Sequence, residues 1–172
     1  MVAQIVGITA VGLYLFSFQL KRRHHIVFVT CISNCLYVLQ YFLLGAFSGA
    51  FLDIISTISS FFAGKKNVPC FKRYVRYITF ATILLIVGVG LTFTIVQKNW
   101  IELLPVGGAI LQTSGLWFDN EQTIRKFALA GAPFWLIYNF LSQAYGAALG
   151  TLLTIISIIV ALLRYYKAKT VS

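Results

Sequence analysis

Charge is scarce in this sequence, and acid is scarcer. Only 10% of the 172 residues are charged, and four acidic residues face fourteen basic ones. A soluble domain carries about 25% charged residues, so the deficit excludes an ordinary water-soluble fold. The period-two alternation of a membrane barrel is also missing. That leaves helices, which satisfy every backbone polar group internally when no water is at hand. No basic stretch precedes the first apolar segment, so that segment is expected to be a helix of the mature protein and not a cleaved signal. The three cysteines, Cys31, Cys35 and Cys70, are too few and too scattered for a disulfide framework, and they lack the further ligands of a metal site. No nucleophile–base pair, phosphate loop or metal-ligand cluster appears. The expectation is therefore a protein that is not an enzyme and needs no cofactor. The net charge of +10 comes from basic residues at the ends of apolar runs, not from a soluble basic face, so a nucleic-acid partner is not expected.

What is abundant is apolar sequence, 59% of the chain. It falls into seven segments, at about 2–20, 26–44, 50–63, 78–96, 101–118, 127–142 and 145–163. Lys21-Arg22-Arg23-His24-His25 stops the first. A short neutral turn around Gly45 to Gly49 joins the second and third, and a basic loop from Gly64 to Tyr77 leads to the fourth. Alternating the loops between two sides puts thirteen of the fourteen basic residues on one side and leaves only Lys98 opposite. The excess of Lys and Arg on cytoplasmic loops then predicts a multi-pass protein with its N-terminus outside and its C-terminus in the cytoplasm.

The chain also matches itself. A shift of 97 with no gap pairs Ser17 with Ser114, Leu39 with Leu136, Tyr41 with Tyr138, Gly49 with Gly146 and Ala50 with Ala147, among ten identities between Ser17 and Ser60. This reads as an internal duplication. Residues 1–66 form a first three-helix repeat, 67–98 a basic loop and linker helix, and 99–172 a second three-helix repeat. A single linker helix makes the second unit enter the membrane in the same direction as the first. The predicted fold is thus all-α and integral to the membrane: seven transmembrane helices arranged as two parallel three-helix repeats plus a linker helix.

This three-plus-one-plus-three pattern resembles the SWEET sugar transporters of the PQ-loop superfamily and the PnuC-type vitamin transporters. Trp135-Leu136-Ile137-Tyr138 is similar to the Trp-x-x-Tyr of half-size bacterial SWEETs. The overall pattern is closer still to the bacterial inner-membrane YgjV-type proteins. That resemblance covers nearly the whole chain, including Gln19-Leu20-Lys21-Arg22-Arg23 and the Leu44-Gly45-Ala46-Phe47-Ser48-Gly49-Ala50 turn. Phe18 stands where the Pro-Gln signature has proline, and Pro105 and Pro133 are the candidates for helix bends in the second unit. The position of the SWEET substrate asparagine is Thr151 here, and Ile54, beside Asp53, in the first repeat. The resemblance implies a bacterial inner-membrane location and a small-solute transporter working by alternating access between the two repeats.

The candidate substrate-binding residues follow. Asp53 is the acidic residue well inside a predicted span, a costly place that points to a polar cavity or a partner. Trp135 lies in mid-helix, where an indole offers a stacking surface, and Asn139 lies one turn on, on the same face. Tyr138 adds to that wall. Asn34 and Gln40 on the second segment, Gln112 on the fifth and Thr151 on the seventh complete the set, and Gln19 near the end of the first segment is the candidate gate. Each of these polar residues also has a plainer reading, as a hydrogen bond between helices. The expected partners are a small-molecule substrate and membrane lipid, with the chain a monomer or a homo-oligomer. A non-transporting receptor or scaffold on the same fold is the alternative.

Overall fold

The computed structural model describes residues 1–17, 23–63, 73–118 and 120–171. Seven α-helices and no strands occur among them: α1 (Val2–Ser17), α2 (Arg23–Leu44), α3 (Phe47–Ala63), α4 (Val75–Gln97), α5 (Leu103–Leu116), α6 (Glu121–Leu141) and α7 (Tyr145–Val171). A single 3-10 turn, Trp100–Glu102, precedes α5. The seven predicted segments are all present, with shifted ends. The third helix starts at Phe47, so the reversal is confined to Gly45 and Ala46, while Gly49 and Ala50 are buried in the first turn of α3. Pro105 lies in the first turn of α5, where its missing N–H removes no helical bond, so it does not interrupt that helix. Pro133 is inside α6.

Helix α4 is apolar on all sides, yet only Thr82, Ile86 and Gly90 are buried. Phe80, Leu84, Leu85, Ile95 and Val96 stand exposed. Such a helix is stable only where its surroundings are themselves apolar. Val75–Gln97 and Tyr145–Lys167 are long and apolar enough to cross a membrane. Val2–Tyr14, Ile32–Leu44 and Phe47–Ala63 are apolar but shorter.

The helices pack as a ring. Helix α1 lies against α2 and α7, α3 against α2 and α5, and α6 against α5 and α7, while α4 packs outside against α3 and α5. Exchanging α1 with α5, α2 with α6 and α3 with α7 leaves this set of ring contacts unchanged. Close approach depends on glycine at one junction, where a Cβ on Gly146 would meet Gly7 Cα at 2.6 Å.

Two connections share one hydrogen-bonded design. Gly45 N–H donates to Phe42 O and Ala46 N–H to Tyr41 O, and Gln143 N–H donates to Phe140 O and Ala144 N–H to Asn139 O. Each is a Schellman turn with a left-handed residue, Gly45 at φ +72° and Gln143 at φ +58°. These turns correspond at a spacing of 98, one more than the shift of 97 that aligns the repeat's sequence identities. A third Schellman turn ends α4, with Lys98 at φ +51° donating to Ile95 O and Asn99 to Thr94 O. The two paired turns and the Trp100–Glu102 segment lie at the same end of the ring, here termed the turn end. Gln4 Nε2 reaches Gln143 O at 2.6 Å there, and Ser48 reaches Glu102.

Candidate functional site

A cavity of about 220 Å³ opens within the ring. Every ring helix contributes to its wall and α4 contributes nothing: Tyr14 comes from α1, Asn34, Tyr37 and Tyr41 from α2, Asp53 and Ser56 from α3, Gln112 from α5, Ala132, Trp135 and Asn139 from α6, and Ala147, Gly150, Thr151 and Thr154 from α7. On α2 the lining positions follow i, i+3 and i+7, the stripe that a 3.6-residue repeat presents to one side. Ala132, Trp135 and Asn139 repeat that stripe on α6. A small residue at 150 makes room for Tyr37, whose hydroxyl a Cβ there would strike.

Twelve of the fourteen described lining residues fall into pairs spaced by 98: Tyr14 with Gln112, Asn34 with Ala132, Tyr37 with Trp135, Tyr41 with Asn139, Asp53 with Thr151 and Ser56 with Thr154; Ala147 and Gly150 stand outside the pairs. A helix contact obeys the same spacing. Ser33 Oγ donates to Ala10 O at 2.7 Å, and a Cβ on Gly131 would meet Gly108 O at 2.8 Å. This corrects the register expected from identity alone. The counterpart of Thr151 is Asp53, not Ile54. Small and apolar residues produced the extra matches at 97, whereas the turns and the wall obey 98.

Six of the expected substrate-binding residues therefore meet in one place: Trp135, Asn139, Asp53, Asn34, Gln112 and Thr151. Two do not. Tyr138 is fully buried outside the cavity, because successive helical residues are turned by about 100° and its neighbour Asn139 takes the cavity side. Gln40 is likewise fully buried and set against Gly7 on α1, with neither end of its amide hydrogen-bonded. Gln40 and Tyr138 are themselves 98 apart, so the two halves place the same position off the cavity. The proposed gate Gln19 lies outside the described residues.

Inside the cavity, Tyr41 OH donates to Asn139 Oδ1 at 2.7 Å, Asn139 Nδ2 donates to Thr151 Oγ1 at 3.2 Å, and Thr151 returns its proton to Ala147 O at 2.9 Å. This chain fixes the side chains of α2, α6 and α7. Asn34 Nδ2 donates to Thr57 Oγ1 at 3.2 Å, and Tyr14 is hydrogen-bonded to Thr154. Two groups are left over. Asp53 Oδ2 and Trp135 Nε1 are both shielded and have no hydrogen-bond partner. No described lining residue is basic.

The rings of Tyr41, Trp135 and Tyr138 lie 6.3–6.4 Å apart, centroid to centroid, toward the turn end. Beyond them is a second polar cluster that the sequence reading missed. Gly49 N–H donates to Tyr138 OH at 3.1 Å, Tyr138 OH lies 3.1 Å from Ser48 Oγ, and Ser48 Oγ donates to the Glu102 carboxylate. Glu102 is buried, with only 5% of its surface exposed. Its place at the edge of the fifth apolar segment hid it, since a terminal acid reads as hydrated. Here it ties α3 and α6 to the start of α5. Among the described residues no group of three or more His, Cys, Asp or Glu could hold a metal ion.

The exposed apolar faces of these helices, set around a small polar cavity, mark a helical membrane protein. The sequence model of a family described as bacterial inner membrane protein, Imp-YgjV, matches residues 1–169. The chain belongs to that family. No curated protein and no solved structure matches it.

Proposed function

We propose that this inner-membrane protein is a small-solute transporter that crosses the membrane seven times, with α1–α3 and α5–α7 as two parallel units around a central site. The observation that carries this reading is the cavity wall. Six ring helices line it, in pairs of equivalent positions from the two halves, and the linker helix α4 takes no part. At 1.5 Å per residue, the lining residues lie about 3–18 Å from the turn end, which reaches the middle of a bilayer core about 30 Å thick. A site at mid-depth between two repeats is what alternating access by rocking of one unit against the other requires.

In this reading the structure is closed at the turn end. Tyr41, Trp135 and Tyr138 cover the cavity there, and the Ser48–Glu102 contact holds α3 against α5 across the boundary between the units. Opening separates that contact. The turn end carries Lys98 among its described basic residues, while Arg73, Arg76, Arg125, Lys126 and Lys167 belong to the other helix ends. The positive-inside rule then supports an outside turn end, an outside N-terminus and a cytoplasmic C-terminus. A SWEET-like arrangement is the fold this proposal adopts.

Uptake into proteoliposomes tests it, with pools of sugars, nucleosides, vitamins and amines, and with Trp135→Ala and Gly150→Leu beside the wild type. Flux from a pool that disappears in variants with unchanged unfolding temperature is the expected result. Absence of flux from every pool, with all proteins folded, supports the receptor or scaffold reading instead.

A further inference from the structure

The cavity has one feature that a site for neutral solutes does not need. Among the described lining residues Asp53 is the only acidic group, and none of them is a cation to match it. The surrounding hydroxyls do not solve the problem. Tyr41 OH is committed to Asn139, Tyr14 to Thr154 and Thr151 to a backbone carbonyl. Asp53 Oδ2 accepts from none of them. The chain has fourteen basic residues and places none of the described ones in the wall. In a low-dielectric interior an unmatched carboxylate is expensive, and its attraction for an incoming positive charge is correspondingly strong.

The rest of the wall favours the same kind of ligand. Tyr14, Tyr37, Tyr41 and Trp135 contribute four aromatic rings around the space. Ring faces attract cations, Trp most strongly, and a cage of such rings with one carboxylate is the chemistry that recognises ammonium groups. The volume is below the roughly 300–1,000 Å³ of sites for drug-sized ligands, so the ligand is small. We propose that the central cavity binds a small monovalent organic cation, a primary or quaternary ammonium compound, with Asp53 as counter-ion and Trp135, Tyr37 and Tyr41 as the aromatic cage. The second half holds Thr151 at the position equivalent to Asp53, so the cavity carries a single charge and takes a single cation. This deepens the transport reading and rests on its assignment of the cavity as the ligand site.

The test compares choline with 3,3-dimethylbutan-1-ol, which has the same shape but no charge, by calorimetric titration of the full-length protein in detergent. Ethanolamine, methylammonium and tetramethylammonium are titrated alongside, with glucose as the neutral polyol. The expected result is an ammonium probe bound at least tenfold more tightly than its uncharged counterpart, and a loss of at least tenfold in Asp53→Asn. The charged–uncharged comparison is made on the wild type, so it holds even if the variant fails to fold. Equal binding of choline and its isostere overturns the proposal, as does binding of glucose with no ammonium probe bound, which leaves the transport reading standing. Ammonium binding without flux in proteoliposomes supports the cation site and overturns transport. No binding of any probe overturns the cation site.

Discussion

The two halves of the ring offer the same positions and fill them differently. At the wall, the first half supplies Tyr14, Asn34, Tyr37, Tyr41, Asp53 and Ser56, and the second supplies Gln112, Ala132, Trp135, Asn139, Thr151 and Thr154. One half is rich in tyrosine and carries the charge; the other is neutral. At the turn end the assignment reverses. The second half places buried Glu102 where the first has Gln4, and the acid accepts from buried Ser48 while Gln4 bonds a backbone carbonyl in a more exposed place. A shared backbone thus hosts two acids in unlike surroundings. The Glu102 carboxylate accepts from Ser48, whereas Asp53 Oδ2 has no hydrogen-bond partner, and in the proposed cation site the ligand supplies one.

Breaking the larger of these asymmetries should cost the most. Glu102→Ala removes the carboxylate to which buried Ser48 Oγ donates and opens a small void, and a loss of about 3 kcal/mol is expected. Gln4→Ala should cost under about 1 kcal/mol. Unfolding of both variants in mixed micelles measures the difference, and equal losses would show that Glu102 is not the structural acid. Next comes the wall. Asp53→Asn should weaken ammonium binding at least tenfold, about 1.4 kcal/mol, while leaving stability within about 1 kcal/mol, because no hydrogen bond to Asp53 Oδ2 is lost. A destabilisation as large as that of Glu102→Ala would give the two acids the same duty.

The turns give a smaller and cleaner contrast. Gly45→Ala should destabilise by about 1 kcal/mol, since φ +72° is strained for any residue with a Cβ. Gln143→Gly, at the matching position, should stabilise by up to about 1 kcal/mol for the same reason. Opposite signs in thermal unfolding check this pair. The smallest effect belongs to Thr151→Val. Its hydroxyl accepts from Asn139 at 3.2 Å, and its loss should change ammonium affinity by less than about threefold, showing that the two equivalent positions are not interchangeable.

Several parts of this picture were legible before any coordinates. Apolar runs broken by basic clusters favour helices, so the seven helical segments followed from composition and spacing, as did the choice of Asp53, Trp135 and Asn139, which line one cavity. That Tyr138 and Gln40 lie off the cavity was not legible, because face membership turns on about 100° per residue and segment ends known to a few residues cannot fix a helix's rotation. The ungapped repeat register was wrong by one for a related reason. Apolar segments draw on few residue types, so chance identities at a shift of 97 outnumbered those at the shift of 98 shared by the turns and the wall.

Composition and periodicity alone established that this chain is helical and membrane-bound, because solvent preference and helical repeat are properties of the residues in order. Packing settled which polar residues share a cavity, that Glu102 is buried, and that Asp53 takes the position equivalent to Thr151 with its Oδ2 lacking a hydrogen-bond partner. Those facts depend on how helices distant in sequence are rotated and set against one another, and that rotation is fixed by packing around the whole ring.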